Sequence, residues 1–185
     1  MTVQPTSETP GDAPDAHIWT PECDFDDFVE LCGCGLPHLR LLTDPDSFST
    51  TLRGGRMGPA ALKDIVVGAD TSIDCGEECE AYRVFLVRSG RAAGAHRGLF
   101  AGGVAGSASV YPPEGLAALH WDASSEILLF KIDRSAVEDA LSDALGRQVT
   151  PQPDFAPLMP TDTVPARSWL NMVMVFAEQF FHHEG

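Results

Sequence analysis

Residues 81–113, AYRVFLVRSGRAAGAHRGLFAGGVAGSASVYPP, hold four arginines and no acid, in a chain whose formal net charge is −15. Arg83 and Phe85 stand two apart, so on a strand they share a face. A guanidinium beside an aromatic ring suits an anionic aromatic or acyl ligand, because Arg pairs bidentately with carboxylate. Arg83 or Arg88 is therefore the expected holder of an effector carboxylate. Tyr82, Phe85, Tyr111, His120 and Trp121 complete the candidate pocket, since barrel interiors wide enough for a ligand are lined by aromatics with a few polar tips. The competing reading places these arginines outside, paired with the chain's many acids at about 0–1 kcal/mol each, and makes the aromatics plain core.

Other chemistry finds little support. A metal centre needs imidazole and carboxylate ligands converging from adjacent positions. His96 stands alone in GAHRGLFAGG, and His120 beside Trp121, a lone histidine on an expected strand, reads as a core or rim residue. No metal and no cofactor are expected. There is no Gly-x-Ser-x-Gly, no phosphate-cradling glycine loop and no carboxylate pair with a plausible base. No catalytic residue is assigned, and the chain is not expected to be an enzyme. The five cysteines include Cys32, Cys34, Cys75 and Cys79. None of their spacings makes a zinc pair with two residues between ligands, and they read as packed thiols. Around Cys75 and Cys79 only acids are near in sequence, which raises a thiol pKa and argues against redox sensing.

These residues must be positioned by a chain of 185 residues, 44% hydrophobic and 21% charged, which suits one domain with a tail. The first 39 residues contain no Lys or Arg, and residues 1–30 carry eight acids. Such a surface repels phosphate backbones, so nucleic acid is not a partner of this chain by itself. Residues 1–20 are expected to be a disordered acidic leader, and 21–185 the folded domain. The start lacks a signal-peptide pattern, and no apolar run approaches the roughly 18 residues of a membrane helix. No membrane partner and a cytoplasmic location follow as expectations.

An opening helix is expected around Phe25, Phe28, Val29 and Cys32. Strands are expected in ALKDIVVG, EAYRVFLVRSG, HRGLFAGG, SASVYPP, LAALHWD and SEILLFKID, an antiparallel barrel or sandwich. AYRVFLVRSG is apolar on both faces and reads as a central strand. The pattern then turns helical, with Asp133 as N-cap, Gly146 as stop and Ala136, Val137, Ala140, Leu141 and Leu145 on one face. A proline-rich connector leads to a second helix that opens at Pro165.

That helix carries two apolar stripes, one with Trp169, Met172 or Val173, Phe176 and Phe180, the other with Leu170, Met174, Ala177 and Phe181. A single sheet should bury one stripe, which leaves Trp169, Met172, Val173, Phe176 and Phe180 for a partner subunit, or else the helix lies in a groove of its own domain.

The order of strand bundle, helix, proline-rich linker and amphipathic helix resembles the N-terminal regulatory domain of AraC/XylS-type transcriptional regulators. The segments that carry the resemblance are MGPAALKDIVVGAD, YRVFLVRSGRA, GSASVYPPEG, ILLFKIDRSAVEDAL and PDFAPLMPTD, within roughly residues 56–182. It implies a mainly β fold, a cupin-like antiparallel barrel followed by two amphipathic helices, that binds a small effector and forms a homodimer through the helices. In that family a helix-turn-helix pair reads the promoter; nothing follows Gly185 here, so DNA would be reached only through residues absent from this chain. The rival readings are a stand-alone cupin-like metal enzyme using His96, His120 and an acid such as Glu126, and a protein-interaction module whose barrel is filled by its own side chains.

Overall fold

In a computed structural model, residues 18–32, 39–77, 80–149, 153 and 155–182 are described. Most of the expected leader lies outside them; Ile18, Trp19 and Thr20 belong to a strand. In chain order the elements are β1 (Ile18–Cys23), α1 (Phe25–Cys32), β2 (Arg40–Leu41), β3 (Thr50–Met57), β4 (Ala60–Val67), β5 (Thr71–Glu77), β6 (Ala81–Ser89), β7 (Arg91–His96), β8 (Leu99–Val104), β9 (Ala108–Tyr111), β10 (Leu116–Trp121), β11 (Glu126–Asp133), α2 (Arg134–Leu145) and α3 (Val164–His182).

The mainly β architecture with C-terminal helices is as expected, but the strands form two facing sheets in place of one closed barrel. One sheet runs β1-β3-β4-β11-β6-β9 and the other β2-β5-β10-β7-β8, every pair antiparallel. Between them lies a core of Leu52, Ile65, Val67, Ile73, Phe85, Val87, Leu119, Trp121, Ile127 and Leu129. Alternation sends these side chains inward and their neighbours outward.

Local chemistry sets the boundaries. Arg97 and Gly98, both with positive φ (51° and 74°), form the two-residue hairpin turn between β7 and β8, the combination whose twist suits paired strands. Gly146, with φ 64°, ends α2 in the left-handed conformation expected of a C-terminal glycine. Asp133 holds the N-cap position of α2 without capping it. Its carboxylate instead takes Arg56 Nη2 at 2.5 Å.

The outer face of the six-stranded sheet is a second core. Leu62, Leu86, Ala108 and Leu128 receive Val173 and Ala177 of α3, with Phe130, Trp169, Leu170, Met174, Phe176, Phe180 and Phe181 around them. The two stripes of α3 are adjacent rows, and together they make one broad face that a single sheet buries. Of the five residues expected at a partner interface, Val173 is 6% exposed, Trp169, Phe176 and Phe180 are partly buried against the chain's own sheet, and Met172, 62% exposed, faces away. Buried Asp64 anchors the layer, accepting Arg53 Nη2 at 2.6 Å and lying 3.2 Å from Arg88 Nη2. Arg53 also lies over the ring of Phe181, 4.6 Å from its centroid. The connector continues the sheet: Val110 N–H donates to the Pro157 carbonyl and Met159 N–H to that of Ala108, each at 2.9 Å.

At Gly94 on β7 the hydroxyl of Tyr111 occupies the place of a side chain, and an added Cβ would also stand 2.9 Å from the Ala118 carbonyl oxygen. The Tyr111 ring is fixed by Phe85 (centroids 5.2 Å apart) and by His96 stacked at 5.4 Å. Gly94→Ala is expected to cost about 1–3 kcal/mol by overpacking. Tyr111→Phe in the same chain should restore part of it, so urea unfolding of the two single variants and the double is expected to be non-additive.

Candidate functional site

Between the sheets, Lys63 of β4, Arg83 of β6 and Lys131 of β11 line one pocket together with Phe28, Cys32, Leu39, Ile73, Cys75, Phe85, Leu119, Trp121 and Leu129. β11 lies between β4 and β6, with Lys131 opposite Arg83 and Leu129 opposite Lys63. Three cations thus project inward from three neighbouring strands. Arg83 is only 5% exposed, and a guanidinium so enclosed is the strong kind of partner for a carboxylate, since little water competes with it.

α1 covers this pocket. Phe28 is buried edge-on against Trp121 and Phe48, with centroids 6.0 and 5.5 Å away, and Lys63 Nζ donates to the Leu31 carbonyl near the helix C-terminus. The space left is ≈ 30 Å³, about enough for one water. A larger groove of ≈ 330 Å³ lies outside, between β6 and α3, lined by Leu86, Arg88, Thr161, Arg167, Leu170, Asn171 and Met174 among others.

The seven residues expected to form the pocket divide among three places. Arg83, Phe85 and Trp121 line it, and Tyr111 is buried in the same core without lining it. Tyr82 and Arg88 take the opposite parity of β6. Tyr82 meets Phe155 edge-on at 5.6 Å, and Arg88 is paired with Asp64 and Glu126. Arg88 is therefore the outward arginine that the competing reading described, whereas Arg83 is not. His120 points outward from β10, its Nδ1 2.8 Å from Ser72 Oγ and its Nε2 3.4 Å from Asp122.

Lys63, Lys131, Phe28, Cys32, Leu39 and Cys75 were missed. For the lysines a signal existed. Lys63 shares the parity of Ile65 and Val67, and Lys131 that of Ile127 and Leu129, so each stands on an otherwise apolar face. The contribution of α1 is long-range and leaves no such mark.

Burial sets the titration of the site. It pushes the Cys75 thiol up to about 12 and Cys32 to about 11, although Arg83 acts against it at Cys75 and Lys63 at Cys32. Cations near these thiols were not foreseen, yet desolvation outweighs them and the thiols stay protonated. Burial likewise raises Tyr111 to about 12. Cys34 and Cys79 lie outside the described residues.

The metal-enzyme reading requires His96, His120 and Glu126 to converge, and they do not. His96 points into the core from β7, His120 outward from β10, and Glu126 lies on the other sheet with Arg88. No group of three His, Cys, Asp or Glu among the described residues is placed to hold a metal ion.

The fold has known relatives. The AraC-binding-like domain family matches residues 35–185. The chain belongs to that family. The probable thc operon regulatory protein of Rhodococcus erythropolis is 29% identical over 157 residues, 77% of this chain and 44% of that protein. The crystal structure of the AraC-like transcriptional activator CuxR superposes with a TM-score of 0.61 at 15% identity, over 90% of this chain and 62% of that one. The cupin domain of Schizosaccharomyces pombe Cnp3 aligns with a TM-score of 0.39 at 8% identity, over 63% of this chain and 81% of that one. The AraC-binding-like domain thus spans less than half the length of its curated relative.

His96 provides a check on the interior. Burial lowers its pKa from 6.5, and the positive charges of Arg97 and Arg83 lower it further. The unfolded chain then binds the proton first as pH falls. The stability due to neutral His96 is fully present above about 6.5 and is lost as pH falls through the window between 6.5 and the lower folded value. Proton NMR should show His96 titrating below 6.5. His96→Gln should flatten the slope of stability against pH in that window.

Proposed function

We propose that this domain senses a small carboxylate-bearing effector, aromatic or acyl, in the pocket between its sheets, and reports occupancy through α3 to a helix-turn-helix unit. The observation that carries the reading is the set of Lys63, Arg83 and Lys131, facing Phe28, Phe85 and Trp121 inside a chain of net charge −15. Cations are scarce in this protein, and three on one inner wall is an arrangement suited to an anion. Such a ligand is larger than the ≈ 30 Å³ available, so its entry requires α1 to shift.

Transmission follows from strand alternation. Arg83, Phe85 and Leu129 face the pocket, whereas Leu86, Leu128 and Phe130, on the same two strands, carry α3. A ligand that displaces β6 or β11 changes the seat of α3, and it biases the regulator only by its different affinity for the two arrangements. The assembly is proposed to work as a homodimer in the cytoplasm. Among the described residues no helix is long and apolar enough to cross a membrane.

The narrowness of the pocket favours a second reading, in which the interior stays filled and the domain is a protein-contact module. A panel of aromatic and short-chain carboxylates, benzoate included, separates the two by thermal shift and calorimetry. Effector sensing predicts that at least one stabilises the wild-type chain. Arg83→Met should weaken that binding about 10- to 100-fold, the worth of a charge-assisted hydrogen bond, and Arg88→Met should leave it unchanged. A panel without effect on the wild type, or equal binding by Arg83→Met, would favour the contact module.

A further inference from the structure

The groove between β6 and α3 holds ≈ 330 Å³, against ≈ 30 Å³ in the pocket between the sheets. Small-molecule sites begin at about 300 Å³. Two periodicities build its walls. Arg167, Leu170, Asn171 and Met174 follow one another at helical spacing, so they share one side of α3. Leu86 and Arg88 share the outward parity of β6. Leu86, Leu170 and Met174 belong to the hydrophobic layer beneath α3 and give the groove an apolar base. Thr161 of the connector and Gly106, in the turn before β9, bound it. Gly106 has φ 89°, and a Cβ there would meet no atom within 4 Å, so that end is open.

Arg88 is paired with Asp64 and Glu126, at 3.2 and 3.1 Å, and those two acids offset its charge. Arg167 differs. Acids outnumber Lys and Arg by 27 to 12, yet among the described residues the exposed Arg167 guanidinium has no carboxylate and no hydrogen-bond acceptor. The Asn171 amide, one turn on, and the Thr161 hydroxyl also have no hydrogen-bond partner among the described residues, and no acid lines the groove. We infer that this groove binds a small amphipathic anion, one carboxylate or phosphate group on an apolar body. The acidic group takes a charge-assisted hydrogen bond from Arg167 and a second from Asn171, and the body lies on Leu86, Leu170 and Met174. Such a ligand touches β6 and α3 together, so it binds more tightly when α3 is seated. The site is separate from the interior pocket, because Arg83 and Arg88 leave β6 on opposite faces, and the inference does not depend on effector binding inside.

The full chain with methyl-labelled methionine tests it by NMR. Met174 lines the groove, whereas Met172 is 62% exposed and faces away. Octanoate or phenyl phosphate should shift the Met174 methyl resonance and leave that of Met172 in place, and whichever binds names the acidic group. Inorganic phosphate and 1-octanol, the head and the body alone, should each bind at least about 10-fold more weakly. Arg167→Met should weaken the anion about 10-fold, the worth of a charge-assisted hydrogen bond. Asn171→Asp, which sets a carboxylate of equal size beside the anion, should weaken it at least as much. Both positions are exposed, so both variants should melt close to the wild type. Arg83→Met should leave the Met174 shift unchanged. If neither anion moves Met174, or if Arg167→Met binds as the wild type does, the inference is overturned. Binding lost in Arg83→Met but kept in Arg167→Met would place the anion between the sheets and overturn it equally.

Discussion

Side chains on a strand alternate between two faces, and in β6 and β11 neither face is given to water over most of their length. The inward set, with Phe85, Val87, Ile127 and Leu129, belongs to the core between the sheets, and the outward set, with Leu86 and Leu128, belongs to the core beneath α3. One pair of strands therefore serves as the common wall of two hydrophobic compartments. Both compartments are close-packed, so the wall cannot move toward one without disturbing the other. The placement of the helix, the shape of the inner pocket and the fate of every charged residue on these strands depend on that shared wall.

Charge placement follows the same division. Of the chain's 12 Lys and Arg residues, Lys63, Arg83 and Lys131 face inward and Arg53 and Arg88 lie on the outer side around Asp64. The solvent-facing surface is left more acidic than the composition alone would suggest. For an anionic visitor the long-range field is repulsive and the destination attractive. The exterior slows approach, whereas the enclosed guanidinium, with little water to screen it, strengthens the hold.

Much of this was legible in the sequence. The alternation in AYRVFLVRSG identified the central strand, Gly146 the end of α2, and the inward parity of Arg83 and Phe85 two members of the pocket. What was lost has physical causes. β3 and β5 carry glycines and polar residues, and their burial comes from partners far along the chain. RAAGAH has too little side-chain volume to announce a strand, so β7 was not among the expected strands and His96 was placed one element late. Asp133 is an N-cap by type but is claimed by Arg56, a residue 77 positions away that no local pattern reveals. The two apolar rows of α3 were legible, but that both would lean on the same sheet was not, because the sheet's outer face is assembled from strands far apart in the chain. The family resemblance supplied the regulatory role, which spacing and composition could not.

The pairing of β4 with β11 also bears on how the chain is made. Ile65 lies opposite Ile127, and β6 cannot join that sheet except through β11. On the ribosome, β3 and β4 emerge and can pair with each other, yet Leu52, Ile65 and Val67 lack the opposing Leu119 and Trp121 until β10 has been synthesised, and β4 lacks its other partner, β11, until Asp133. Non-local pairing of this kind slows folding and leaves unpaired edges in the interval. The nascent first half of this domain thus waits longest for its core, and α3, the last of the described elements, can dock only after the wall that bears it is complete.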